Sequence, residues 1–194
     1  LHPVFVSLGS FLLWRERPTR RLALGAALAL LGALWIGWGD LHMSTESLQG
    51  DLLAVGGGLM AAVYFLIGRH VRRSVSTLEY AAATYGTAAL FALISCWIVR
   101  TPLLSFSRPT IIALLLLGIV AQVIGHSTFN WALKHLSATH VSVLILGEPV
   151  GSALLAILFF GEIPSGLNLV GIATILGGIY WSLRTKEPDY AHQP

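Results

Sequence analysis

Apolar residues run in seven blocks separated by short polar turns: Val4 to Trp14, Leu22 to Gly39, Leu52 to Gly68, Tyr80 to Val99, Ile111 to Leu133, His140 to Phe160 and Leu167 to Leu183, segments A to G. Segments B to G run 17 to 23 residues. At a helical rise of about 1.5 Å per residue each matches the thickness of a bilayer core. Segment A has 11 residues, enough for a short or partial span. A membrane β-barrel would instead alternate polar and apolar residues over blocks of about ten. These blocks are continuous and rich in Leu, Ala and Gly, so helices are predicted throughout.

Composition narrows the class further. The chain is 55% hydrophobic and 11% charged, with a mean hydropathy of +0.75, against about 25% charged residues in a soluble domain. The polar surface is too small for a water-soluble fold, which excludes soluble enzymes and nucleic-acid binders. Cys96 is the single cysteine. It can form no internal disulfide, no metal-ligand spacing occurs, and no cofactor is expected.

The net charge of +3 reads as topology. Lys and Arg number four between A and B, three between C and D, one between E and F and two in the tail, but only two between D and E and none elsewhere. Basic loops stay in the cytoplasm, so the A–B turn and the C-terminus are expected inside. All six tryptophans fall near predicted span ends, where amphipathic rings anchor at the interface.

A shift of 146 residues superposes residues 3–35 on the chain's end with 11 identities. Among them Pro3, Glu16, Pro18, Gly25, Gly32 and Trp35 fall on Pro149, Glu162, Pro164, Gly171, Gly178 and Trp181. A pairs with F and B with G, so the unit holds five helices, and an odd number inverts one copy relative to the other. The arginine-rich A–B turn against the uncharged-by-lysine-or-arginine F–G turn agrees. The second copy starts near Asp51, so its counterpart is expected to start about 95 residues upstream of Leu1, giving about 290 residues and ten helices in all.

These residues resemble the drug/metabolite transporter superfamily, specifically its EamA-type ten-helix members. The likeness rests on Gly50-Asp51 leading into a helix with Tyr64, Gly68-Arg69 and Arg72, on the run Gly125 to Leu133 followed by Ser137-Ala138-Thr139 and Gly147-Glu148-Pro149-Val150, and on Gly161-Glu162 before Gly171 and Gly178. The resemblance implies an all-α polytopic membrane protein comprising seven helices of a ten-helix inverted five-plus-five repeat bundle. Residues 1–40 would be the last two helices of the first EamA repeat, 50–185 a complete five-helix second repeat, and 186–194 a cytoplasmic tail.

Within this frame Glu148 is the leading candidate. It stands eight residues inside segment F, where an ionisable group costs about 3 kcal/mol on insertion scales and should face protein or water. Desolvation would raise its pKa and fit it for proton exchange. Pro149 cannot donate to the Ile145 carbonyl and should kink the helix, as should its repeat partner Pro3. Gln122, His126 and Asn130, at i, i+4 and i+8 of segment E, should form one polar stripe. His126 and Glu148 lie equally far from the Ser137 turn, so an antiparallel hairpin would bring them to one depth. Tyr64 and Tyr85 are pathway candidates or structural hydrogen-bonders. Gly25, Gly32, Gly171 and Gly178 are expected helix-packing positions. Arg69, Arg72 and Arg73 read as topological charges, and His2, His42, His135, His140 and His192 as solvated or interfacial.

The function expected is a secondary transporter, an exporter of small metabolites or drugs working by alternating access in the plasma (inner) membrane. Its partners would be a small-molecule substrate, the lipid bilayer and a proton or cation gradient, with no nucleic acid; a homodimer stays open. A non-transporting remnant or half-assembly is the alternative. A seven-helix receptor would match the span count but not the 146-residue repeat. An intramembrane enzyme lacks HExxH, GxSxG or paired aspartates.

Overall fold

The computed structural model describes residues 2–38, 45–103 and 105–184. Their helices are α1 (His2–Trp14), α2 (Arg20–Trp38), α3 (Thr45–Val71), α4 (Thr77–Val99), α5 (Arg108–Leu116), α6 (Ser127–Ala132), α7 (Ala138–Ile145), α8 (Glu148–Phe160) and α9 (Gly166–Leu183), with a π-helical stretch, Leu117–His126, joining α5 to α6. No strand occurs among the described residues. His42, His192, Gly39 at the end of segment B and the 186–194 tail lie outside them. Six stretches are long and apolar enough to cross a membrane: Arg20–Gly37, Leu52–Val71, Thr77–Val99, Arg108–Ala132, Ala138–Phe160 and Gly166–Leu183. α1 is a shorter apolar helix. The protein is an all-α, multi-pass membrane protein.

Lipid as solvent explains why helices form and what they expose. Backbone groups in hydrocarbon must be satisfied internally, which a helix does within one segment. Side chains then face outward freely: Trp97 is 81% exposed and Phe160 78%. Where the spans end, hydroxyls take over the unpaired N–H groups. Ser76 caps α4 in a reciprocal box with Glu79, and Ser107, Ser137 and Ser165 cap α5, α7 and α9.

Three segments depart from the sequence expectation. Segment C extends upstream, since α3 takes in the polar residues from Thr45. Segment E is not one α-helix, because ten of its residues adopt π geometry. Segment F breaks into α7 and α8 at Leu146 and Gly147 rather than merely bending.

The helices group into two compact units, one built from residues 1–67 and 136–194 and the other from 68–135, with α3 dividing after Ile67. In the first unit α2 and α9 run antiparallel in close contact. A Cβ at Gly25 would stand 2.6 Å from the Gly178 carbonyl oxygen, and one at Gly32 would stand 2.6 Å from that of Gly171. The pairing is reciprocal: shifted by 146, Gly25 becomes Gly171 and Gly32 becomes Gly178, so each copy offers the same two positions crosswise. That is the contact pattern of a two-fold axis.

The matched segments also fold alike. α1 and α8 are both 13 residues long and start 146 apart. Each ends on a left-handed residue, Arg15 at φ 58 and Gly161 at φ 68. The same bonds close both ends, Arg15 N–H to Phe11 O (2.9 Å) and Glu16 N–H to Ser10 O (3.4 Å) in one, Gly161 N–H to Ile157 O (3.1 Å) and Glu162 N–H to Ala156 O (3.3 Å) in the other. The i→i−4 bond from the left-handed residue is that of the αL cap. Thr19 and Ser165 then cap the following helices at 3.2 Å each. α7 packs against α1 with every residue from Ala138 to Val143 buried, and Val143 joins Leu22, Ala26 and the partly buried Ile179 in the core.

In the second unit the end of α3 meets the start of α4 and the end of α6. A Cβ on Gly68 would lie 2.8 Å from the Tyr80 hydroxyl and 2.9 Å from Leu133 Cδ1. α5 and the π-helical stretch bury no residue.

Candidate functional site

The polar candidates of the second unit converge on Tyr85 of α4. Asn130, fully buried on α6, donates Nδ2–H to the Tyr85 hydroxyl at 3.2 Å. The hydroxyl also lies 3.2 Å from Ser127 Oγ and 3.4 Å from the Gln122 carbonyl oxygen. Its single proton serves one of these two acceptors at a time. The contact with Gln122 has a local cause. At the π-to-α junction Ser127 N–H turns to the Gly125 and Ile124 carbonyls instead of continuing the i→i+5 pattern back to Gln122. The carbonyl so released meets a phenol.

The π geometry corrects the expected stripe. Gln122, His126 and Asn130 are not successive positions of one α-helical face, because the first two lie in π turns and the third in α6. Asn130 and the Gln122 backbone join the Tyr85 cluster. His126, half-buried, meets the edge of Phe129 at 6.3 Å between ring centroids. Replacing Tyr85 by Phe removes the hub while keeping the ring. A loss of about 1 to 2 kcal/mol is expected, read as a lower thermal midpoint, with a Ser127→Ala change costing less because Asn130 keeps its partner.

Sequence reasoning misplaced Arg69 and Arg72. Both are buried, not solvated topological charges, while Arg73 is exposed. The Arg72 Nε donates to the Asn130 carbonyl oxygen at 3.0 Å, and its two terminal nitrogens donate to the Val75 carbonyl and the Thr77 hydroxyl. One guanidinium thereby ties the end of α3 to the start of α4 and to α6. The planar fork of donors suits this task, whereas lysine's point charge does not. A signal was present in the sequence: Arg72 lies past the Gly68 close approach, one helical turn on from it and on the same face.

The candidates of the first unit gather around the break in segment F. Leu146 N–H bonds to Val143 O at 3.1 Å and Gly147 N–H to Leu144 O at 2.9 Å, tightening the end of α7. Pro149 then stands in the first turn of α8, where its missing N–H is harmless. Gly147 is tightly held, since a Cβ there would lie 3.1 Å from Leu144 O and 3.3 Å from Ile179 Cδ1. Glu148 is thus the first residue of a half-helix, not an interior one. It is exposed and has no hydrogen-bond partner among the described residues. Its charge complements the positive end of the α8 dipole. Pro3 is likewise the second residue of α1, with no preceding helical turn among the described residues to kink. Tyr64 is half-buried, its ring edge-on to Phe65 at 5.2 Å.

His140 was expected at a solvated end and is buried instead. Ser137, the α7 cap, holds its Nδ1 at 2.7 Å. Glu148 and Tyr64 belong to the first unit, and Tyr85, Gln122, His126 and Asn130 to the second.

Comparison with known proteins adds a family. The sequence pattern of the EamA-like transporter family matches residues 48–184. An uncharacterized transporter of Archaeoglobus fulgidus is 30% identical over 186 residues, which cover 91% of this chain and 62% of that protein. The uncharacterized transporter YwfM of Bacillus subtilis is 25% identical, with 91% of this chain and 59% of its own length covered. A protein of Salmonella typhimurium named a probable amino-acid metabolite efflux pump is 24% identical, with 90% and 61% covered. The chain therefore spans about six-tenths of the length of these relatives. One crystal structure is similar with a TM-score of 0.76 and 28% identity, covering 94% of this chain and 63% of the other.

Proposed function

The chain belongs to the EamA-like transporter family, and we propose that it works as a secondary transporter exporting small metabolites by alternating access between two inverted five-helix halves. Residues 1–40 would supply the last two helices of the first half and 50–185 the whole second half. The observation that carries this reading is the reciprocal antiparallel seam of α2 and α9, Gly25 against Gly178 and Gly32 against Gly171. Two halves related in this way can exchange inward-open and outward-open arrangements about one site, the geometry of inverted-repeat transporters.

The substrate pathway in this reading is lined by Glu148, His126, Gln122, Asn130, Tyr64 and Tyr85. Support for Glu148 comes from the broken helix, since unwound segments in transporters are where ions and substrates meet backbone and carboxylate. The distribution of basic residues supports a C-terminus in the cytoplasm, and residence in the plasma membrane is part of the same proposal. Amino-acid metabolites are the first substrates to try, given the name carried by the Salmonella relative.

The test is flux from proteoliposomes under an imposed proton or sodium gradient. Efflux of at least one amino-acid metabolite should exceed that of empty vesicles and stop when an ionophore collapses the gradient. Folded protein that accelerates no member of such a panel under either gradient would refute the reading.

A further inference from the structure

The stretch that ends α1 and opens α2 carries four exposed arginines, Arg15, Arg17, Arg20 and Arg21. Against them stands one glutamate, Glu16, which is less exposed and lines a small cleft with Ser10 and Ser137. A fifth exposed arginine, Arg184, stands at the same end of the first unit, because α9 finishes beside the start of α2: a Cβ on Gly25 would lie 2.8 Å from Ser182 Cβ. Arg184 lies over the Tyr180 ring, 4.6 Å from its centroid, and donates to that residue's hydroxyl. Arg15 and Arg17 share a support of their own, with guanidinium carbons over the Phe11 ring at 5.8 and 5.4 Å from its centroid.

The repeat provides an internal control. At the 146-residue shift Arg15, Arg17, Arg20 and Arg21 match Gly161, Ile163, Gly166 and Leu167, Arg184 matches Trp38, and Phe11 matches Ile157. The same hydrogen bonds nevertheless close both turns. Gly161 takes its left-handed φ of 68 at no steric cost, whereas Arg15 holds φ 58 against its own Cβ. The fold therefore requires neither the charges nor the ring beneath two of them. The preference for basic loops in the cytoplasm accounts for charge at this end, but it is indifferent to what holds each charge in place. A cation over a ring face is held there while its N–H edges stay available to other partners.

An apolar track leads to this pair. Val4, Leu8 and Leu12 follow one another at helical spacing along α1 toward Arg15, and all three are exposed. Guanidiniums suit a phosphate, which they can bind through two parallel N–H bonds. A free anion would use the arginines but not the track, whereas a lipid would use both.

We propose that this end of the first unit binds an anionic phospholipid, with Arg15 and Arg17, braced on Phe11, as ligands of the phosphate and Val4, Leu8 and Leu12 as the seat of an acyl chain. Arg20, Arg21 and Arg184 add to the attraction through their field, as clusters of arginines beside a membrane span do.

The experiment is mass spectrometry of the intact, purified full chain released from micelles doped with phosphatidylglycerol or phosphatidylcholine. Phosphatidylglycerol should be retained in preference. Its apparent affinity should fall about fivefold for each of Arg15→Gln and Arg17→Gln, and clearly less for Arg20→Gln and Arg21→Gln. Phe11→Leu should weaken it too, although no charge changes. Equal losses at all four arginines, with Phe11→Leu silent, would reduce the site to a diffuse charge and overturn the proposal. Displacement of the lipid by excess inorganic phosphate would make it a site for free anions and overturn it likewise. A chain released as a dimer without lipid would give this face to a second copy, with the same consequence. The readout needs the protein only to be folded in micelles and is independent of whether it transports anything.

Discussion

Gly178→Ala is expected to destabilise the protein by about 3 kcal/mol, the largest loss of any single methyl addition along the α2·α9 seam. The new Cβ would lie 2.5 Å from both the Ala29 nitrogen and the Gly25 carbonyl oxygen. Both are backbone atoms, so no rotamer change relieves the clash and the helices must part along their length. In lipid that loss is not offset by hydrophobic collapse, because small-residue packing is itself what holds membrane helices together. The four glycines should rank by what each methyl meets. Gly25→Ala and Gly32→Ala, each 2.6 Å from a carbonyl oxygen, should follow closely. Gly171→Ala should be mildest, since its nearest neighbour is Ile36 Cγ1 at 2.5 Å, a side chain that can turn, and the next is Gly32 O at 3.0 Å. Midpoints of thermal unfolding followed by tryptophan fluorescence test the order, and Gly171→Ala as the most damaging change would contradict the seam geometry.

The crossing was half visible in the sequence. The seven-residue spacing of Gly25 and Gly32, repeated at Gly171 and Gly178, is plain from the 146-residue shift. That Gly25 meets Gly178 instead of Gly171 follows only once the copies run antiparallel, which the odd number of helices per repeat implies. Span positions were legible for a simple reason: lipid demands long apolar runs, and their ends carry Ser, Pro and Arg. What the pattern hid was geometry inside the spans. Nothing in Leu117 to His126 distinguishes π from α turns by hydropathy, so the stripe of Gln122, His126 and Asn130 looked continuous. Pro149 announced a disturbance but not its size, because a proline at an interior position and one in the first turn of a new helix read identically until Gly147 is seen to end the turn. Arg72 and His140 were hidden by their company. Arginines in a cluster of three at a span end, and a histidine next to a turn, have the sequence context of solvated residues, and only tertiary packing buries Arg69, Arg72 and His140.

Glu148→Gln should abolish gradient-driven flux in proteoliposomes while leaving the unfolding midpoint nearly unchanged. The stability half follows from the site: Glu148 is exposed at the first residue of α8 and has no partner among the described residues, and exposed substitutions of that kind usually cost within about 0.5 kcal/mol. The functional half follows from the proposed role. Glutamine keeps the size and the hydrogen-bonding edge of the side chain but cannot take up and release a proton, so binding can survive while coupling is lost. Substrate-for-substrate exchange without any gradient separates the two, since a coupling carboxylate leaves exchange running and a substrate ligand does not. His126→Gln then tests whether His126 shares the pathway. If both groups serve one proton route, His126→Gln alone should also lose gradient-driven flux while exchange persists, whereas full gradient-driven flux in His126→Gln would place His126 outside it. Full gradient-driven flux in Glu148→Gln would remove this carboxylate from the coupling step altogether, and with it the functional meaning given to the helix break at Gly147.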